Sequence, residues 1–162
     1  MRTDVAPTVV QRPSVPDAIH ALANMTRPNY VDLFTVPAGE TTEKSPEQWA
    51  RVALEDASPT GRFIVFQVLC GLRLDTRPSH DRVAGWRIAD RGDNWIRLEA
   101  ASWFMTAHAV VLVEDDQVSV ALFVRYDRPL GALLWPPISI GHRRAMPGLL
   151  IHAARRMTGR GR

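Results

Sequence analysis

The last third of the chain, residues 93–157, constrains the fold more than any other part of the sequence. It holds two long apolar-rich segments of strand character, residues 94–113 and 117–126, which an acidic turn separates. A compact connector, residues 127–137, and a helix-like run, residues 142–157, follow. Strands joined by a short turn pair in antiparallel fashion, and the apolar face of the resulting sheet needs a cover. This order predicts a pocket between a sheet and a terminal helix.

The bulk composition is that of one ordinary globular domain. The chain has 162 residues, of which 46% are hydrophobic and 23% are charged, so it can bury a core of its own. The only cysteine, Cys70, lies in an apolar run, which indicates a buried and unreactive thiol. No signal-peptide pattern and no apolar run of membrane-spanning length is present. We therefore expect a cytoplasmic protein that is a monomer or a small homo-oligomer.

The first half of the chain mixes one strand with short helices. Residues 1–27 predict a tail, in which a short helix could begin near Pro16. Residues 29–36 alternate as a strand does, with Asp32 on the same side as Tyr30 and Phe34. Two further short helices are then expected, each preceded by a Ser-Pro pair.

The first Ser-Pro pair carries the stronger helix signal. Ser45 can cap a helix, Pro46 suits its first position and Gln48 completes a capping box. Ser58-Pro59 repeats the start signal, and Gly71 is a plausible terminator for the second helix.

Four strands follow in the order of a meander, residues 83–89, 95–104, 106–113 and 118–126. Within 95–104 one face carries Glu99 with Arg97, which could pair, and the other carries Leu98. Alternation alone leaves open which of the two faces lines the pocket.

The final run, residues 142–157, predicts a helix with an apolar stripe, which Pro147-Gly148 should kink or split in two.

Several short motifs match a known family: residues 97–100 on a strand, residues 126–131 leaving the last strand, Trp135, His142-Arg143, and residues 30–34 at the front. The chain thus resembles the uncharacterised family called domain of unknown function 2867. That family is placed in the START-like (SRPBCC, birch-pollen-allergen-like) superfamily. The resemblance implies a helix-grip fold, in which a curved antiparallel sheet grips a long C-terminal helix around an apolar cavity. It implies no particular reaction.

The expected fold class is therefore α+β, a helix-grip antiparallel sheet with two short helices and a long, kinked C-terminal helix. The expected domain covers residues 28–157, preceded by the N-terminal tail and followed by a basic tail, residues 158–162.

The leading functional hypothesis is a binding module for a hydrophobic or amphipathic small molecule held between the sheet and the terminal helix. Ligand pockets are mostly apolar and aromatic, although large aromatic side chains also build ordinary cores. The residues expected to contact the ligand are Trp86, Trp95, Trp103, Tyr126, Trp135 and His142.

An alternative is an enzyme of the cyclase or isomerase type that uses Glu99 and His142. A mid-strand carboxylate facing a cavity and a histidine near the start of the terminal helix could exchange protons. The structural interpretations are a solvated or Arg-paired Glu99 and a His142 that hydrogen-bonds the last strand. The enzyme hypothesis requires both side chains to reach one pocket.

A second alternative is a non-catalytic interaction protein that uses its Arg-rich C-terminal end, and this hypothesis predicts a pocket filled by side chains. The formal net charge is only +3, which hints weakly at an anionic partner. No aromatic-interleaved basic patch is present, so we expect no nucleic-acid partner. The basic residues concerned are Arg143, Arg144, Arg155, Arg156, Arg160 and Arg162.

The sequence lacks the motifs of the common cofactor and metal classes. It contains no GxGxxG, P-loop or GxSxG, and none of its histidines forms an HExxH pair. We therefore expect neither a cofactor nor a metal ion.

Overall fold

The fold is a single antiparallel sheet of seven strands with helices on both faces. The computed structural model describes residues 8–39, 43–55, 69–75 and 77–159. The strands run in the order β1-β2-β7-β6-β5-β4-β3 across the sheet. Their bounds are β1 Val10–Gln11, β2 Tyr30–Pro37, β3 Arg82–Val83, β4 Trp86–Arg91, β5 Trp95–Ala101, β6 Met105–Val113 and β7 Gln117–Tyr126. The three helices of the described residues are α1 Asp17–Ala23, α2 Pro46–Leu54 and α3 Pro129–Gly159.

The meander is confirmed, with one strand more than predicted. The segment expected as one strand over 83–89 is a small hairpin, β3 and β4, joined by Ala84 and Gly85. Both of these residues have positive φ, 49° and 87°, as the tight two-residue turns of hairpins require. Strand β2 then pairs with the last strand, β7, and this places Asp32 opposite Leu122.

Helix α2 forms as the local signals predict. The Ser45 Oγ accepts a hydrogen bond from the Gln48 backbone N–H at 3.2 Å, and the Gln48 side chain accepts one from the Ser45 N–H at 2.9 Å. Pro46 occupies the first turn, where its missing N–H has no cost. The second predicted helix, over 58–71, falls mostly outside the described residues.

Helix α3 is longer than the sequence indicated, because the expected connector is its first part. It begins at Pro129 and continues through Trp135-Pro136-Pro137 and through Pro147, so Pro147-Gly148 does not split it. Gly131 explains the close start: a Cβ there would lie 3.0 Å from the Phe104 carbonyl oxygen. The glycine therefore lets the helix begin against the sheet rather than marking a turn.

The two faces of the sheet carry separate cores. The inner face packs on α2 and α3 and includes Trp49, Leu98 and Leu150. The outer face packs on α1, where Ile19 lies against Phe123. Residues 17–23 are thus a docked helix and not a free tail, which corrects the prediction for that part of residues 1–27. No helix within the described ranges is long and apolar enough to span a bilayer.

Replacing Ile19 with alanine is expected to lower the free energy of unfolding by about 2 kcal/mol, because it leaves a cavity between α1 and the outer face. Ile19 is 5% exposed, whereas Ile140 on α3 is 46% exposed. Ile140→Ala is therefore the matched control and should change stability by less than about 0.5 kcal/mol. Urea denaturation of both variants measures the difference. Equal losses would contradict the docking of α1.

Candidate functional site

The candidate site is a cavity between the inner face of the sheet and the helices α2 and α3. Its floor is one row of side chains across four paired strands: Asp32 lies opposite Leu122, Leu122 opposite Ala109, and Ala109 opposite Leu98. All four line the cavity. The row is lowest at Ala109, because its methyl group stands between two leucines. Asp32 is the only carboxylate in the described lining.

The roof comes from the two helices. Trp49, Ala50 and Ala53 project from α2, and Trp135, His142, Met146, Leu149 and Leu150 project from α3. The apolar residues of α3 bury one side of the helix against the sheet, as amphipathic helices do. Apart from a few polar groups, the wall is therefore apolar.

The cavity encloses about 70 Å³. One enclosed water needs roughly 10–15 Å³ of such space and takes about 30 Å³ in the liquid. The cavity therefore matches about five waters, or a compact molecule of roughly five to eight heavy atoms. It is far smaller than a lipid chain requires.

The polar cluster of the site consists of Tyr30, Asp32 and His142. The Tyr30 hydroxyl donates a hydrogen bond of 2.6 Å to Asp32 Oδ2. His142 Nε2 lies 2.9 Å from the same oxygen. Asp32 is 4% exposed and His142 is 6% exposed, so this contact is shielded from solvent.

The environment of Tyr30 keeps its hydroxyl protonated. Burial raises the pKa of the Tyr30 phenol, and the hydrogen bond to Asp32 and the charge of its carboxylate raise this pKa further. Arg143, whose guanidinium lies 5.9 Å from the centre of the Tyr30 ring, acts in the opposite direction on the pKa. Tyr30 therefore remains a hydrogen-bond donor to Asp32 at neutral pH.

Three buried polar atoms of the lining lack a hydrogen-bond partner among the residues that the structure describes: Asp32 Oδ1, Trp86 Nε1 and Trp135 Nε1. Buried polar groups in folded proteins are nearly always paired, and an unpaired one costs about 1–3 kcal/mol. The cavity wall thus presents one hydrogen-bond acceptor and two donors within an apolar surface.

Of the six residues predicted to contact a ligand, three meet in the cavity: Trp86, Trp135 and His142. The structure places the other three elsewhere, which corrects the prediction for them. Trp95 lies on the opposite face of β5, Trp103 is 62% exposed, and Tyr126 packs against Gly131 at the start of α3.

Glu99 lies on the outer face of the sheet, away from His142. Its carboxylate receives hydrogen bonds from Arg87 and from Arg97, the latter at 3.0 Å. The Arg-paired interpretation of Glu99 is thus confirmed, and its pairing with His142 in one pocket is wrong. The reason is the strand period of two: Leu98 faces the cavity, so Glu99 faces away from it.

The neighbours of Glu99 hold α1 in place. Arg97 donates a hydrogen bond of 2.9 Å to the Leu22 carbonyl. His108 donates one of 2.7 Å from Nδ1 to the Ala23 carbonyl, and burial lowers the pKa of His108. These side chains satisfy carbonyl groups at the end of α1 that a helix leaves without partners. The outer face is therefore a structural network.

Sequence reasoning missed Asp32 and Tyr30 as site residues. A signal was present, because Asp32 shares one face of a strand with Tyr30 and Phe34. A carboxylate on an otherwise apolar face is unusual unless it has a partner.

The remaining candidates play no part in the cavity. Arg143, Arg144, Arg155 and Arg156 are exposed on α3, and Arg160 and Arg162 lie outside the described residues. Within the described ranges, no three His, Cys, Asp or Glu side chains come together as metal ligands.

Cys70 lines the cavity and is 2% exposed. Burial raises the pKa of its thiol from 9.0 to about 11, so at pH 8 the thiolate is about 100-fold scarcer than in an unfolded chain. We expect iodoacetamide to alkylate the native protein at least 100-fold more slowly than the protein in urea. Mass spectrometry of timed samples measures both rates. Comparable rates would show that the thiol is accessible.

Comparison with protein-family models, with curated proteins and with solved structures finds no match for this chain. The resemblance to domain of unknown function 2867 therefore stays a prediction. The functional assignment must come from the cavity.

Proposed function

We propose that this protein binds a compact, mostly apolar small molecule in the cavity between its sheet and the helices α2 and α3. The observation that carries the proposal is the buried Asp32 carboxylate, whose Oδ1 has no hydrogen-bond partner within the described part of the chain. A ligand group that donates a hydrogen bond there would remove the cost of that unpaired atom.

The lining also limits the chemistry of the ligand. The indole N–H groups of Trp86 and Trp135 can donate to a ligand oxygen, and the apolar wall favours a hydrocarbon body. A cyclic alcohol or ketone of six or seven heavy atoms combines these features and agrees with the size of the cavity. The proposal includes a helix-grip architecture, which is supported by the antiparallel sheet and the long α3 packed across it.

The test is a thermal-shift screen with cyclohexanol, cyclohexanone and phenol as compact probes and palmitate as the long-chain comparison. A compact probe at 100 times its Kd should stabilise the fold by about 2.7 kcal/mol. We expect palmitate to have no effect. Native mass spectrometry of gently purified protein would show whether a molecule of this size stays bound.

A pair of alanine variants locates the binding site. Ala109→Leu adds three carbons to the lowest part of the cavity floor and should abolish the shift. Ala101→Leu makes the same change on an exposed residue and should preserve it. If Ala109→Leu responded to the probes as the unmodified protein does, the ligand would bind elsewhere. If no probe in the panel shifted the melting temperature, the proposal would fail.

A further inference from the structure

The two oxygens of the Asp32 carboxylate have different surroundings. Oδ2 accepts the Tyr30 hydroxyl hydrogen bond at 2.6 Å and lies 2.9 Å from His142 Nε2. Oδ1 is buried and lacks a hydrogen-bond partner among the described residues. The carboxylate is therefore held through one oxygen, and the other belongs to the cavity wall.

A carboxylate held in this way is suited to act as a general base. Water is largely excluded from the cavity, so a negative charge there interacts strongly with a nearby proton donor. An ordinary structural carboxylate would use both oxygens, because each unmet hydrogen bond in the interior costs stability. Unpaired polar groups of this kind cluster at sites where they serve a reaction.

A donor for a developing negative charge lies close by. The Trp135 ring centroid is 5.9 Å from that of His142 and 5.3 Å from that of Tyr30, so Trp135 belongs to the same cluster as Asp32. Its indole Nε1 is buried without a hydrogen-bond partner in the described structure. An N–H group set in an apolar wall can stabilise an oxyanion without reorganisation.

We infer that the cavity is the active site of an isomerase that moves a proton between two carbons of a small β,γ-unsaturated ketone. The inference rests on the proposed binding function. Asp32 Oδ1 is the base, the Trp135 N–H is the oxyanion donor, and Tyr30 and His142 are positioning residues that hold Oδ2.

The reaction is balanced without a co-reactant. Asp32 Oδ1 takes a proton from the carbon between the carbonyl and the double bond. The C–H electron pair forms a new C=C bond, and the carbonyl π pair moves to oxygen as a dienolate, which Trp135 stabilises. The carboxylic acid then returns the proton to the far carbon of the original double bond. The carbonyl re-forms in conjugation, and the Asp32 carboxylate is restored.

The experiment follows the conversion of 3-cyclohexenone to 2-cyclohexenone by the absorbance of the conjugated product. Acetate at the same concentration gives the background rate. We expect the protein to exceed this background at least 100-fold. Asp32→Asn keeps the size of the side chain and an oxygen for Tyr30, and should lose at least 100-fold of the rate.

Further variants separate the roles. Trp135→Phe keeps the ring and removes the N–H, and should reduce kcat at least tenfold with little change in KM. Tyr30→Phe should give a smaller loss of kcat. Glu99→Gln, a carboxylate change on the outer face, is the matched control and should leave the rate unchanged. Circular dichroism confirms that each variant is folded.

Binding of the unreactive ketone cyclohexanone, measured by calorimetry, separates the two proposals. Binding without conversion above background, or equal rates for Asp32→Asn and the unmodified protein, would overturn the isomerase inference and leave the binding function standing. Absence of binding by cyclohexanone and every other compact probe would overturn both.

Discussion

Replacing Trp49 with alanine is expected to lower the free energy of unfolding by about 4 kcal/mol. Trp49 is 1% exposed and is the largest side chain that α2 buries. It lines the cavity beside Ala50 and Ala53, so its loss enlarges an existing void and removes the main contact of α2 with the sheet and α3. A change of this size is a large part of the 5–15 kcal/mol that stabilises a typical domain.

The chain offers a matched control in Trp103, which is 62% exposed. Trp103→Ala should change stability by less than about 0.5 kcal/mol. Urea denaturation followed by circular dichroism measures both variants without depending on tryptophan fluorescence. Similar losses for the two would contradict the assignment of Trp49 to the core and of Trp103 to the surface.

Replacing Asp32 with alanine is expected to cost about 3–5 kcal/mol, because it leaves the buried Tyr30 hydroxyl and the His142 imidazole without their acceptor. The effect should be local, since the variant keeps the apolar cores on both faces of the sheet. Chemical denaturation measures the loss, and a well-dispersed NMR spectrum at low denaturant shows that the fold is retained.

A second variant distinguishes a stabilising cluster from a functional one. Tyr30→Phe, Asp32→Leu and His142→Leu together replace the polar cluster by apolar side chains of similar size. Such replacements are often neutral or stabilising, so we expect the triple variant to be at least 2 kcal/mol more stable than Asp32→Ala. A triple variant as unstable as Asp32→Ala would indicate that the cluster itself holds the fold together.

The elements that could be predicted are those with local causes. The capping box of Ser45 and Gln48 produced helix α2 because both hydrogen bonds join residues within one turn. The alternation along residues 118–126 produced β7 with Val118 and Leu122 in the inner core. The start of α3 was predicted too late, because Pro136 and Pro137 read as helix breakers and tertiary packing of Trp135 overrides that preference.

The candidate site could be predicted only in part. His142 and two of the tryptophans were identified from residue type and position, and the structure brings them into one cavity. Glu99 was the wrong carboxylate, since alternation gives two possible faces for a strand and does not say which one the helices cover.

The sequence by itself determined the order of elements, the helix cap at Ser45 and the alternating faces of the strands, because these depend on residues adjacent in the chain. Only the tertiary structure decided that the Leu98 face is the inner one and that Asp32 meets His142. The pairing of β2 with β7 and the passage of α3 across the sheet bring these two side chains to within 2.9 Å. That approach depends on burying the whole inner face at once, so no local pattern around either residue encodes it.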